Sequence, residues 1–191
     1  MIQQLLAGKR VDLGFLDLDR DAATIAAWTE DPEYWNLYER EIGRPLSRSQ
    51  IKKKFSADPR FAHQHFRFAI YQRPEHRLIG LASLEWVDWS NSNAALALAI
   101  GRPEDRGTGY EADALQALLQ YAFHELNLYR LQASAFEYAV SWRQQLEEAG
   151  FRLEVCRRRE ILRAGRRWDA LIYGILRAEW QPTPAGAEGA A

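Results

Sequence analysis

The sequence predicts an α+β domain built around one central sheet, and three observations carry that expectation. Period-two apolar alternation recurs along the chain, as in residues 66 to 71, FRFAIY. A period-3.6 stripe of Leu115, Leu118, Leu119, Ala122, Phe123 and Leu126 marks a long helix. The two kinds of segment follow in the order β-α-α, then a run of strands, then β-turn-α-β-α-β-β, which fits a mixed sheet and not a doubly wound one.

Taken in order, Val11, Leu13 and Phe15 alternate and predict a strand over 10–16. Asp19 caps an alanine-rich helix over 19–28, closed by Asp31-Pro32. Ser47 and Gln50 have the spacing of a capping box, so a second helix is expected over 48–57, ended by Asp58-Pro59. Strands at 66–71 and 78–87 flank the polar turn QRPEHR and read as a hairpin. The run AALALAI (94–100) is a further strand, whose alanines suit close packing or the close approach of a ligand. After the long helix from Tyr110, a strand is expected over 129–136, a helix over 140–149 stopped by Gly150, and two extended runs about the turn RAGRR. Residues 1–180 are thus expected to form a single domain, and 181–191, with no large apolar group beyond Trp180, a frayed tail.

Composition narrows the function. Lys and Arg total 25 against 26 Asp and Glu, a formal charge of −1, so no overall field draws nucleic acid or an anionic membrane. Cys156 stands alone, which excludes an intramolecular disulfide and suits a reducing, cytoplasmic setting. The first residues lack the apolar core of a secretion signal, and no run reaches membrane-spanning length. His63 and His65 have no third ligand nearby, so no metal site is expected.

The chemistry concentrates in PEDRGTGYEADAL, residues 103–115. A strand feeding a glycine turn and then a helix aims unpaired N–H groups at one point, where the helix dipole also favours an anion. Gly107 and Gly109 would let the backbone approach phosphate oxygens, and Arg106 would add a charged contact at the rim. A phosphate-binding loop of the Walker kind needs Lys and Ser or Thr where Tyr110 and Glu111 stand, and a dinucleotide fingerprint has its third glycine at Ala112. By these residues alone a plain turn and a phosphate cradle both stay open.

The string IGRPEDRGTGYEADAL resembles the strand-loop-helix of the GNAT N-acetyltransferases, in the branch that includes ribosomal-protein N-terminal and spermidine acetyltransferases. EDRGTG is similar to that family's pyrophosphate loop, with Glu104 at its first place. The segments RLIGLASLEWVDWSNSNAALALAIG, LNLYRLQASAF, LEEAGF and GRRWDALIYGILRAEW resemble its later landmarks, so the likeness spans about residues 8 to 180.

The resemblance implies a GNAT-like acyl-CoA N-acyltransferase fold with a mixed, mostly antiparallel twisted sheet flanked by helices. It implies acetyl-CoA as co-substrate and a primary amine as acceptor, on a protein N-terminus, a polyamine or another small molecule. Arg106, Gly107, Thr108, Gly109, Tyr110 and Glu111 would hold the pyrophosphate. Ala99, Ile100 and Gly101 would form the strand edge along which pantetheine lies and from which an N–H polarises the thioester. The acceptor site would be lined by Trp35 and Tyr38, with Tyr34, Glu39 and Glu41 nearby, and by Trp86 and Trp89 opposite. Where relatives place a carboxylate on the fourth strand this chain has Ala95 or Leu96, so Glu85 and Asp88 are the nearest candidates for general base. Ala139 and Leu146 stand where the family has an asparagine and a proton-donating tyrosine, with Tyr138 or Tyr129 as substitutes. Those departures keep a second reading in view, a catalytically lapsed acyl-CoA-binding module. A homodimer is left open.

Overall fold

The computed structural model describes residues 6–38, 40, 43–56 and 60–181. Glu39, Glu41, the Asp58-Pro59 stop and the tail after residue 181 lie outside the described residues. Within them, seven strands form one sheet: β1 (Val11–Phe15), β2 (Phe66–Gln72), β3 (Arg77–Asp88), β4 (Asn93–Ile100), β5 (Arg130–Phe136), β6 (Arg152–Arg163) and β7 (Arg166–Leu176). Their order is β1-β2-β3-β4-β5-β7-β6. Every neighbouring pair is antiparallel except β4 and β5, which are parallel.

Five α-helices flank the sheet among the described residues: α1 (Leu18–Trp28), α2 (Pro32–Tyr38), α3 (Arg48–Phe55), α4 (Tyr110–Gln120) and α5 (Val140–Glu148). The capping box at Ser47 and Gln50 is formed as expected. The first helix begins earlier than the sequence suggested, because Asp17 and not Asp19 caps it by accepting from the amides of Asp19 and Arg20. Helix α2 was not anticipated at all. Asp31-Pro32 both ends α1 and starts α2: proline suits the first helical position, and the Asp31 carboxylate accepts the Glu33 N–H at 2.9 Å.

The core sits on both faces of the sheet. On one face α4 and the helical turn that follows it bury Leu115, Leu118, Leu119 and Phe123 completely against Leu84, Leu96, Ile100 and Leu131, and α5 adds Leu146. Burial of each such side chain is worth about 1.5–3 kcal/mol, so truncating Leu118 to alanine removes roughly 2–5 kcal/mol once the cavity is counted. On the other face α1, α2 and α3 pack Ile25, Trp28, Tyr34 and Ile51 onto Ala69, Tyr71 and Leu81. After Gln120 the long helix widens into one π-helical turn, Tyr121–Glu125, and Asn127 at φ 51° reverses the chain into β5. No helix among the described residues is long and apolar enough to cross a membrane.

Candidate active site

The site begins where two parallel strands part. β4 and β5 pair only from Asn93–Arg130 to Leu96–Ala133. Beyond that point β4 continues along β3 as far as Ile100, and β5 continues along β7 as far as Phe136. A wedge therefore opens in mid-sheet, with main-chain groups of both strands released into it.

Strand register decides which groups those are. The Gly101 N–H donates to the Ile79 carbonyl at 2.8 Å, and an antiparallel ladder alternates, so Ala99 and Gly101 direct their polar groups towards β3. The expectation that Ala99 and Gly101 supply the free edge is thereby corrected: the alternate residues Leu98 and Ile100 face the wedge. Ile100 is met from within, its carbonyl accepting from Arg106 Nε at 3.2 Å. Burial pushes the Tyr38 hydroxyl up to about 12, with the nearby Ile100 backbone acting in the opposite direction. Tyr38 consequently keeps its proton at neutral pH.

At the end of β4 the glycine turn leads into α4. Gly107 has φ 67° and Gly109 φ 93°, values that side-chain-bearing residues avoid. A Cβ on Gly107 would meet nothing within 4 Å, whereas one on Gly109 would fall 2.9 Å from the Arg10 guanidinium. The amides of Thr108, Gly109, Tyr110 and Glu111 donate to no acceptor among the described residues, and α4 adds its dipole. The Gly107 amide is not bare: Glu111, itself buried, accepts it at 3.0 Å.

Arg106 differs from its expected role. Its side chain is 10% exposed and, while it lines the cleft beside the turn, it is bonded to Asp31 at 2.6 Å, Glu33 at 3.1 Å and the Gly101 carbonyl at 2.5 Å. It ties α2 to the end of β4, its charge already matched by two carboxylates. Burial would raise the Asp31 carboxyl, but the bonds from Arg106 and the Glu33 amide outweigh it and hold the group below the usual carboxylate range. The cation beside the turn is Arg10, which touches the Thr108 carbonyl and lies 4.6 Å from the Tyr110 ring centroid. Nothing in the local sequence pointed to it, since it precedes the turn by almost a hundred residues.

Three clefts surround these elements. One, of 410 Å³, lies between the glycine turn and the start of α5, lined by Gly107, Glu111, Tyr138, Ala139, Ser141 and Gln145. A second, of 590 Å³, runs past Lys9, Arg10 and Gly109 and shares Gln145 with the first. A third, of 1230 Å³, opens on the opposite side of the wedge towards α2 and α3. Leu37, Tyr38 and Trp142 line both the first and the third, so these side chains stand at their junction. Trp142 also caps the parted strand, its indole N–H donating to the Ser134 carbonyl at 3.1 Å.

The third cleft collects Trp35, Tyr38, Glu85 and Trp86. Consecutive strand residues ordinarily face opposite ways, yet Glu85 and Trp86 both line it because β3 bulges between Glu85 and Asp88, with Trp86 at φ 54°. Trp35 reaches the cleft from the core, buried and anchored by its indole N–H to the Thr29 carbonyl at 2.8 Å. Glu85 accepts from the Ser83 hydroxyl at 3.2 Å.

Asp88 does not join them. Its oxygens accept the Ser90 and Asn91 amides and the Asn91 side chain, which stabilise the β3–β4 turn; the bond from the Asn91 side chain leads in holding the carboxyl below its usual range. A carboxylate so satisfied is a weak base, and Asp88 is corrected to a turn residue. Trp89 is likewise not a wall of the cleft, for its indole donates to the His63 carbonyl at 3.1 Å. Leu146 is fully buried in the core, while Ala139 lines the first cleft. Of the substitute tyrosines, Tyr138 lines that cleft and donates to the Asn36 carbonyl at 2.5 Å, whereas Tyr129 is exposed before β5 at the paired end of the wedge.

A parted pair of parallel strands, a glycine turn at a helix start and clefts meeting between them define an acyl-CoA-dependent acyltransferase fold. The family model described as an acetyltransferase (GNAT) domain matches residues 10–152. The chain belongs to the GNAT acetyltransferase family. It is 24% identical over 177 residues to the uncharacterized N-acetyltransferase p20 of Bacillus licheniformis, covering 93% of this chain and 98% of that one. A Vibrio cholerae spermidine N-acetyltransferase solved with CoA and spermine superposes with a TM-score of 0.76 at 22% identity, over 89% of this chain and 97% of that one. A GNAT-family acetyltransferase from Bacillus anthracis gives a TM-score of 0.73 at 21% identity, over 91% and 99%. The mixed seven-stranded sheet expected from the sequence is the fold these proteins share.

The described residues suit an acyl-CoA. The turn offers unpaired amides, Gly107 leaves room for oxygen atoms to approach, and Gln145 Oε1, on the cleft beside the turn, is a buried acceptor without a partner among the described residues.

Proposed function

We propose that this acetyltransferase moves an acetyl group from acetyl-CoA to a primary amine, with the thioester at the junction of the first and third clefts. The observation that supports this reading most is the junction itself: the cleft beside the glycine turn and the cleft that holds Glu85 meet at Tyr38 and Trp142, where β4 and β5 part. The acetyl donor supplies an activated carbonyl. The amides of Thr108 to Glu111 and the guanidinium of Arg10 hold its phosphates, Leu98 on the free edge of β4 aligns its pantetheine, and Gln145 accepts from a pantetheine amide.

Glu85 is the base in this reading. A lysine-like amine has a pKa of about 10.4 and a peptide α-amine about 7.7–8.0, so either is largely protonated at pH 7 and must lose a proton before attack. Trp35, Tyr38 and Trp86 shape the acceptor pocket and keep water from the reacting carbon. The family relatives and the spermine-bound structure support an amine acceptor without specifying which.

The test is release of free CoA thiol from acetyl-CoA on addition of peptide N-termini, polyamines and small amines. Acceptor-dependent release is the expected result. Binding of acetyl-CoA with no release across a broad panel would favour the lapsed module suggested by Ala139 and Leu146.

A further inference from the structure

We infer that the acceptor of this site carries an anionic group, a carboxylate or phosphate, a short distance from its reactive amine. The inference rests on the acetyltransferase reading and names the substrate class of that same cleft. The charged side chains described in the 1230 Å³ cleft are Arg40, Arg44, Lys53 and Lys54 against one carboxylate, Glu85.

The four cations are not equivalent. Arg40 is paired with Glu160 at 2.9 Å, and Lys54 lies 5.1 Å from the Trp35 ring centroid. Arg44 and Lys53, both exposed, have no ion pair among the described residues. Lysines in the last turn of α3 suit the helix dipole, which accounts for a cation there but not for its facing the cleft. Gln50, Lys53 and Lys54 fall at i, i+3 and i+4 on a single face of α3, and that face lines the cleft. Lys52, off that face, pairs instead with Asp19. Among the described residues the cleft is therefore dipolar, with a carboxylate on the sheet for the ammonium and two uncommitted cations, Arg44 and Lys53, at the rim for an anion. Opposed charges of this kind select a ligand by the spacing of its own charges.

The experiment measures binding and turnover separately on the full chain with CoA or acetyl-CoA. Three tripeptide amides with free N-termini, Ala-Glu-Ala, Ala-Gln-Ala and Ala-Lys-Ala, differ in one charge; phosphoethanolamine and ethanolamine form a small-molecule pair. Titration calorimetry in the presence of CoA should rank Glu above Gln above Lys, with about tenfold between the extremes at low salt, narrowing as salt rises. The source is a peptide if the first series shows the larger spread and a small metabolite if the second does. Lys53→Glu should reverse the order, and Arg44→Ala should compress it without changing acetyl-CoA affinity. Equal affinities across each series, preference for the lysine peptide, no measurable binding of any acceptor, or an order untouched by Lys53→Glu would each overturn the inference. Charge-ranked binding without thiol release would leave it standing while removing the acetyltransfer reading.

Discussion

Glu111 Oε1 accepts the Gly107 N–H at 3.0 Å, and its other carboxylate oxygen is buried without a hydrogen-bond partner among the described residues. The turn thus supplies its own anion to one of the amides that a bare cradle would present. That carboxylate stabilises the turn and opposes a second negative charge beside it. Glutamine retains the acceptor oxygen while removing the charge. Glu111→Gln should therefore tighten CoA binding about tenfold, near 1.4 kcal/mol, as measured by calorimetry. A folded variant that binds CoA more weakly would mean that the charge itself holds the turn in its binding shape.

Gly109 makes a separate demand on the same turn. At φ 93°, with Arg10 2.9 Å from any added Cβ, a β-branched residue must displace both the backbone and the guanidinium. Gly109→Val should weaken acetyl-CoA at least about tenfold, and a folded variant with an unchanged dissociation constant would remove the turn from the binding site.

Much of this was legible in the chain. The stripe from Leu115 to Leu126 marked α4 because a helix buried along one side must repeat its apolar groups every three or four residues. Helix α2 was missed because Asp-Pro is both a helix stop and a helix start, and only Asp31 capping Glu33 decides between them. The facing of Glu85 and Trp86 depends on a bulge that no glycine announces, and the choice of Leu98 and Ile100 over Ala99 and Gly101 depends on register, which the alternating apolar pattern leaves undetermined. Arg10 reaches the turn through tertiary packing alone, as sequence-local signals cannot show.

Arg106 is predicted to matter for stability more than for charge recognition. Removing a mostly buried guanidinium leaves Asp31, Glu33 and two carbonyls without their donor. Arg106→Ala should cost about 2–4 kcal/mol, less than a wholly buried pair because Glu33 is exposed, and lower the melting temperature by roughly 5–10 °C. The pH dependence has a definite sign. A carboxyl depressed in the folded state stabilises above its unfolded value, so the gap between wild type and variant should be full near neutrality and shrink as pH falls below 3.8. A gap that widens on acidification would contradict the assignment.

Glu85 and Asp88 separate by the same reasoning applied to the reaction. Glu85 lines the acceptor cleft, whereas Asp88 is consumed by three hydrogen bonds in a turn outside it. Glu85→Gln should lower turnover about 100-fold at pH 7, and Asp88→Asn by no more than about threefold. The pH profile distinguishes a base from a mere contact. With a peptide α-amine of pKa about 7.7–8.0, most acceptor is already neutral at pH 9, so the glutamine variant should recover relative to wild type as pH rises. A constant deficit from pH 6 to 9 would mean that Glu85 orients the acceptor and leaves its proton to water.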